Sequence, residues 1–283
     1  MAAEIGSTRA LFDGLFIQEL RQLALSQTGE DRDLLEPVAV VACPTHSLNA
    51  IALLSPRGEA AIVLDLGVLG VLQLVIKASL AHMTWHDSNP YCRDSPQESY
   101  GAALVSLTEF VFTGDFECLA PHRKTLSIVD PQHMATQFTR IGEIFIVLHE
   151  YGHLREGHLQ RQGRSMAPGV QATIEYTRQQ HLELEADAYA IKRLITGPNP
   201  LAPSMACLMV GFLFRFFALC EAAKGQKSGS GTHPPALARW ELIKGRSAVL
   251  RPTEEDGDAN RAAARMVRAL DLSFDKIEAG LAQ

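Results

Sequence analysis

Apolar positions recur along this chain in two rhythms that mark different elements. Between Thr139 and Gln162, the residues Ile141, Ile144, Phe145, Val147, Leu148 and Leu154 fall on one side of a helix. A second helical stretch runs from about Val170 to Ile195 and stops at Gly197–Pro198, and the turn-forming run from Gly163 to Gly169 separates the two. Shorter runs carry strand character: Val38–Ala42, and the pair 49–54 and 59–64 around Ser55–Pro56–Arg57–Gly58, which reads as a hairpin. An amphipathic helix is expected up to Leu25, with a polar link from Ser26 to Pro37 after it. Further helices are expected over 66–83, over 205–223, after His233–Pro234–Pro235 and over 261–281, and a loop over 87–99; residues 101–138 show no clear period. The fold class predicted is α+β, predominantly helical, with a small sheet near the N-terminal half. No repeat and no linker divides two cores, so a single domain over 1–283 is expected: an N-terminal helix and small sheet over 1–65, a helical catalytic core over 66–250 and a C-terminal helix over 260–282.

The stretch Met205–Ala223 is apolar except for Arg215 and Glu221, and it alone approaches the length and hydropathy of a membrane span. A helix apolar on every side normally sits in a large core, so a core helix is expected, with membrane contact through 205–223 as the lesser reading. The N-terminus lacks the basic residues of a secretory signal. Five scattered cysteines without a Cys-x-x-Cys pair suggest neither a disulfide framework nor a thiolate metal site, which fits the cytoplasm. A net charge of −6 argues against a nucleic-acid partner.

The chemistry concentrates on the two long helices. His149–Glu150–Tyr151–Gly152–His153 places two imidazoles four residues apart on one helical face, where they can share a metal ion, with Glu150 turned about 100° away toward a water. On the second helix, Glu183 and Asp187 are also four residues apart. Counted back from the intervening turn at about 1.5 Å per residue, Glu183 comes level with His149 and His153 if the helices run antiparallel. Two histidines and one glutamate leave a position open, the pattern of a catalytic rather than a structural zinc (Zn2+) site. Asp187 would then support a histidine from behind. Gly157 and His158 stand one position away from where an extended three-histidine motif needs them, so His158 is not read as a ligand. His181 and Glu185 face other directions and read as surface or packing residues. His82 and His86 share the four-residue spacing but lack a glutamate at the catalytic position. Tyr151 and Tyr189 read as packing.

These motifs resemble the gluzincin metallopeptidases of the CAAX-prenyl-protease and heat-shock membrane-protease type. The resemblance rests on Asn49–Ala50 leading a strand, His149–Glu150–Tyr151–Gly152–His153, Glu183 with Ala186–Asp187, and Thr232–His233–Pro234–Pro235 with Arg239 six residues after the histidine. It implies that His149, His153 and Glu183 hold zinc, that Glu150 is the general base, and that His233 lies near the active site. It also implies that the strand begun by Asn49 and Ala50 binds an extended peptide by added-strand pairing. This chain would be a compact soluble member, because membrane members of the family carry spanning helices and the interval from His153 to Glu183 leaves little room for an insertion.

The expected activity is zinc-dependent endopeptidase cleavage of a protein or peptide substrate, with Glu150 moving the proton and His233 or Arg239 donating to the oxyanion. The rival expectation is a zinc-containing regulatory or binding protein whose peptidase site is idle or opened by a partner. In that reading, 205–223 and the Gly/Ser-rich 224–232 supply a docking surface and a lid.

Overall fold

A computed structural model describes residues 16–43, 50–65, 70–73, 75–76, 131–159, 171–223 and 234–246, together with 275 and 279. Of 131–135, 171–179, 204, 207, 223, 245 and 246 it describes the backbone only. The elements are α1 (16–27), a 3-10 turn at Gly29–Asp31, α2 (Arg32–Leu35), β1 (Ala39–Cys43), β2 (Ala50–Leu54), β3 (Ala60–Asp65), α3 (Pro131–Arg155), α4 (Gln171–Thr196), α5 (Pro203–Ala223) and α6 (Ala236–Arg246). The protein is predominantly helical with one small sheet, an α+β composition. The loop 87–99, the ends of the 66–83 helix, His82, His86 and most of the 261–281 helix lie outside the described residues.

The described residues fall into two compact units. The first holds 16–43, 50–65, 143–159 and 171–201. Its sheet has the order β1-β3-β2, with β3 parallel to β1 and antiparallel to β2. Side chains alternate across it as a pleat requires: Val40, Ala52, Ile62 and Leu64 are buried, while Val41, Ile51 and Leu53 are exposed. The hairpin expected at 49–64 forms β2 and β3, and Ser55 closes its turn by donating its N–H to the Glu59 carbonyl at 2.8 Å. Ile17, Leu20 and Ala24 of α1 are buried at helical spacing, and Phe145, Val147, Leu148 and Tyr151 of α3 and Leu182, Ala186, Ala190 and Leu194 of α4 are buried in the same unit.

The link between α1 and β1, read from sequence as merely polar, is built. Arg21 reaches from α1 to the carbonyls of Val38, at 3.0 Å, and Glu36. Asp31, buried in the 3-10 turn, pairs with Arg193 of α4 and lies 3.5 Å from Nε of Arg155 at the end of α3. The charges of Arg193 and Arg155 outweigh the cost of burial and hold the Asp31 carboxyl below the usual range.

Two helix ends differ from the sequence reading. The period suggested a helix over 139–162, but α3 begins at Pro131 and ends at Arg155. The chain leaves the helix at Gly157, whose φ of 66° is the left-handed conformation that glycine adopts without penalty. The turn at 156–157 breaks the register before the short helical stretch at 158–159, so His158 is not one more step along the helical face.

The second unit includes 70–73, 75–76, 131–142, α5 and α6. Leu208, Met209, Val210, Phe212, Leu213, Phe214, Phe216 and Leu219 are all buried, which makes α5 the core of this unit. Phe214 stacks on Trp240 of α6 with 6.2 Å between centroids, and the guanidinium of Arg239 sits 5.2 Å from the Phe214 ring. The carboxylate of Glu221 accepts from the backbone N–H of Ala236 and so satisfies a donor at the start of α6. No described helix is long and apolar enough to cross a membrane.

Candidate metal and catalytic site

The site lies within the first unit, where α3 passes close to α4. A Cβ placed on Gly152 would meet the Ala186 Cα at 3.0 Å and its carbonyl oxygen at 3.2 Å. Gly152 and Ala186 are therefore small for a reason: the two backbones approach at this point. As numbers rise along α3 they fall along α4, since His149 meets Asp187 and Glu183 while His153 meets Glu183. That register belongs to antiparallel helices, and it brings buried polar side chains of the two helices together.

Three side chains converge there. Nε2 of His149 lies 3.3 Å from Oε2 of Glu183, and Nε2 of His153 lies 3.4 Å from Oε1 of the same carboxylate. The two Nε2 atoms are 3.2 Å apart. All three residues are buried, and their ligand atoms lie within 4.8 Å of one another, so this group can hold a metal ion. Electrostatics favours one. Asp187, fully buried, places Oδ1 2.9 Å from Nδ1 of His149, close enough for its negative charge to favour the proton on that nitrogen. The Nε2 lone pair of His149 then points at a carboxylate and a second imidazole, an arrangement that calls for a cation at its centre. In a metal-free protein that cation is a proton. Burial works against it, but Asp187 and Glu183 prevail and raise His149 from 6.5 to about 10.

Glu150 is turned toward the sheet. Its Oε2 accepts the backbone N–H of Ala52 at 2.7 Å, which ties the carboxylate to β2. Burial raises the Glu150 pKa, His149 and His153 lower it, Glu183 raises it and the Ala52 hydrogen bond lowers it, with a net rise. A carboxylate shifted in this direction is a better proton acceptor near neutral pH than an ordinary glutamate.

Of the other residues singled out from sequence, Ala50 opens β2 opposite Leu64, while Asn49 and His233 lie outside the described residues. Arg239 belongs to the second unit and packs on Phe214. Tyr151 is fully buried, and burial pushes its hydroxyl up to about 12, which keeps it protonated as a packing residue. Sequence reasoning missed His158. It is fully buried, with Nδ1 2.9 Å from Nδ1 of His153 and Nε2 3.1 Å from Oε2 of Glu185. Glu185, read as a surface or packing residue, is half-buried and bonded to that ring; its other oxygen lies 3.4 Å from exposed His181. The signal that could have found His158 was Gly157, a helix-ending residue one position ahead of it.

Neither a curated protein nor a solved structure matches the chain. Residues 128–250, somewhat less than half of the chain, match the model of a family described as Peptidase U49, so the segment carrying His149, Glu150, His153, Glu183 and Asp187 is similar to a peptidase family.

Proposed function

We propose that this protein is a zinc-dependent endopeptidase of gluzincin type, with α3 and α4 as its zincin helix pair. The observation that carries the reading is the convergence of the His149, His153 and Glu183 ligand atoms beside a glutamate that is anchored away from them. The similarity of 128–250 to a peptidase family supports it. His149, His153 and Glu183 would hold the ion, which when bound makes water more acidic and polarises a scissile carbonyl. Asp187 holds the proton on Nδ1 of His149 and so directs Nε2 at the centre of the site.

Glu150 is the proton carrier. Its carboxylate takes a proton from the attacking water and passes it to the leaving amine. The Ala52 N–H fixes one of its oxygens and leaves the other for that exchange. The same contact supports a place for the substrate along β2. Among the described strands β2 is an outer one, paired with β3 on one side, and on the other side its Ala52 N–H meets Glu150. An extended protein or peptide segment laid along that side of β2 passes the base, with main-chain pairing that ignores side-chain identity. We place the protein in a reducing compartment such as the cytoplasm, a reading that rests on five scattered cysteines without a Cys-x-x-Cys pair.

The test is cleavage of a broad peptide library by the zinc-loaded wild type and by Glu150→Gln. The account expects cleavage by the wild type, and a loss of about 10²-fold or more in the variant, with zinc content unchanged. An uncut library with full zinc in the wild type is the result expected of an idle or partner-gated site instead.

A further inference from the structure

The two histidines at the site are supported differently. His149 has a buried carboxylate directly behind it, whereas His153 has another imidazole, and the ring of that imidazole meets the carboxylate of Glu185. We propose that Glu185, acting through His158, is a positioning residue that fixes the tautomer of His153 and tightens its hold on the metal. This rests on the metallopeptidase reading above.

The direction of the chain follows from what each group can donate. A carboxylate accepts only, so the 3.1 Å contact between Glu185 Oε2 and His158 Nε2 needs the proton on Nε2 of His158. In the neutral ring this leaves a lone pair on Nδ1 of His158. The 2.9 Å contact between the two Nδ1 atoms then needs the proton on Nδ1 of His153. Nε2 of His153 is left with its lone pair, and that atom is the one that faces Glu183 and His149. One acceptor near the protein surface thus sets the protonation of two buried rings in series and delivers a lone pair to the metal position.

The edge-to-face packing of the rings, with centroids 5.0 Å apart and planes at 73°, is consistent with His153 meeting the His158 lone pair rather than its face. Gly157 goes with the arrangement: its left-handed φ ends the register of α3 just ahead of His158, whose Nδ1 lies 2.9 Å from Nδ1 of His153. The relay also differs from the Asp187 support in exposure. The Glu185 side chain is 38% exposed and touches His181, whereas the Asp187 side chain is at 0%. The carboxylate that steers His153 is thus the one that solvent reaches.

A histidine buried at a helix end could instead be a packing residue whose polar atoms are merely satisfied, and the experiment separates the two. Glu185 is the residue to change, because removing fully buried His158 threatens the fold. Zinc affinity of the full chain is measured by competition with a chromophoric chelator for wild type, Glu185→Ala and Glu185→Gln, beside the thermal midpoint of each metal-free form. Imidazole ¹⁵N NMR of the metal-free wild type reads the His158 tautomer. The proposal expects affinity to fall about 10- to 100-fold in Glu185→Ala and to be largely restored in Glu185→Gln, whose amide oxygen still accepts. It also expects metal-free midpoints that stay together and a proton on Nε2 of His158. Equal zinc affinity in wild type and Glu185→Ala, or a proton on Nδ1 of His158, overturns it. A wild type that takes up no zinc while His158 keeps its proton on Nε2 overturns the metallopeptidase reading and leaves the hydrogen-bonded chain in place.

Discussion

Helices α4 and α5 are similar in length, and both bury much of their surface, yet what they bury is opposite in kind. α5 buries Leu208, Phe212, Leu213, Phe214, Phe216 and their neighbours, while α4 buries Glu183, Asp187 and Arg193 among its apolar residues. Burying an apolar side chain is favourable in itself, by about 25 cal/mol per Å² removed from water. A buried carboxylate has no such return and persists only with partners. Both acids described as buried on α4 have them: Asp187 has His149, and Glu183 has His149 and His153. Apolar burial on α5 thus holds its unit together, while the paired acids of α4 put groups able to do chemistry inside theirs.

Substitutions on the two helices should therefore separate stability from metal binding. The largest effect on stability is expected from Phe214→Ala on α5, which removes a fully buried ring that stacks on Trp240. It should cost about 3–5 kcal/mol in denaturant unfolding and leave metal stoichiometry unchanged in the folded fraction. A metal site lost along with Phe214 would break the comparison. Gly152→Ala comes next. Its Cβ would sit 3.0 Å from the Ala186 Cα, so α3 and α4 must separate, at an overpacking cost of about 1–3 kcal/mol, and the ligand atoms must separate with them. Weaker metal binding out of proportion to the stability change is the expected signature in a chelator titration.

Asp187→Asn keeps an acceptor beside His149 and removes the charge. A drop in metal affinity toward the lower end of about 10- to 100-fold is expected, with little change in thermal midpoint of the loaded protein. The pH dependence has a definite sign. The folded pKa of His149 lies above its ordinary value of 6.5, at about 10, so its proton stabilises the metal-free protein fully below 6.5, and this contribution is lost as pH rises through about 10. A metal ion takes the place of that proton, so uptake near pH 7.5 should release it. Calorimetry in buffers of different ionisation enthalpy would read the release, and uptake without it would contradict the assignment of His149. The smallest effect is expected from Glu221→Ala, which removes the acceptor for the Ala236 N–H and should cost about 1 kcal/mol, without touching metal affinity.

Much of this geometry could be read from spacing alone. Four-residue intervals put His149 with His153 and Glu183 with Asp187, because helical period is a local property that packing rarely overrides over such lengths. The hairpin was legible for the same reason, since Ser55–Pro56–Arg57–Gly58 punctuates two apolar runs. What escaped was set by tertiary contact. The partnership of Asp31 with Arg193 spans 162 positions, and no local pattern encodes it. Neither the parallel pairing of β1 with β3 nor the approach of the Ala52 N–H to Glu150 has a signature in the strands themselves. His158 escaped for a subtler reason. Five residues after His153 is the wrong interval for a shared helical face, and the break in register at Gly157 comes between them.

The central claim is that His149, His153 and Glu183 form one metal centre, and elemental analysis of purified wild type beside Glu183→Ala tests it most directly. The account predicts one zinc per folded wild-type chain and a marked loss in the variant. Wild type that contains no metal after loading and desalting, or a Glu183→Ala protein that retains the full complement, would contradict it.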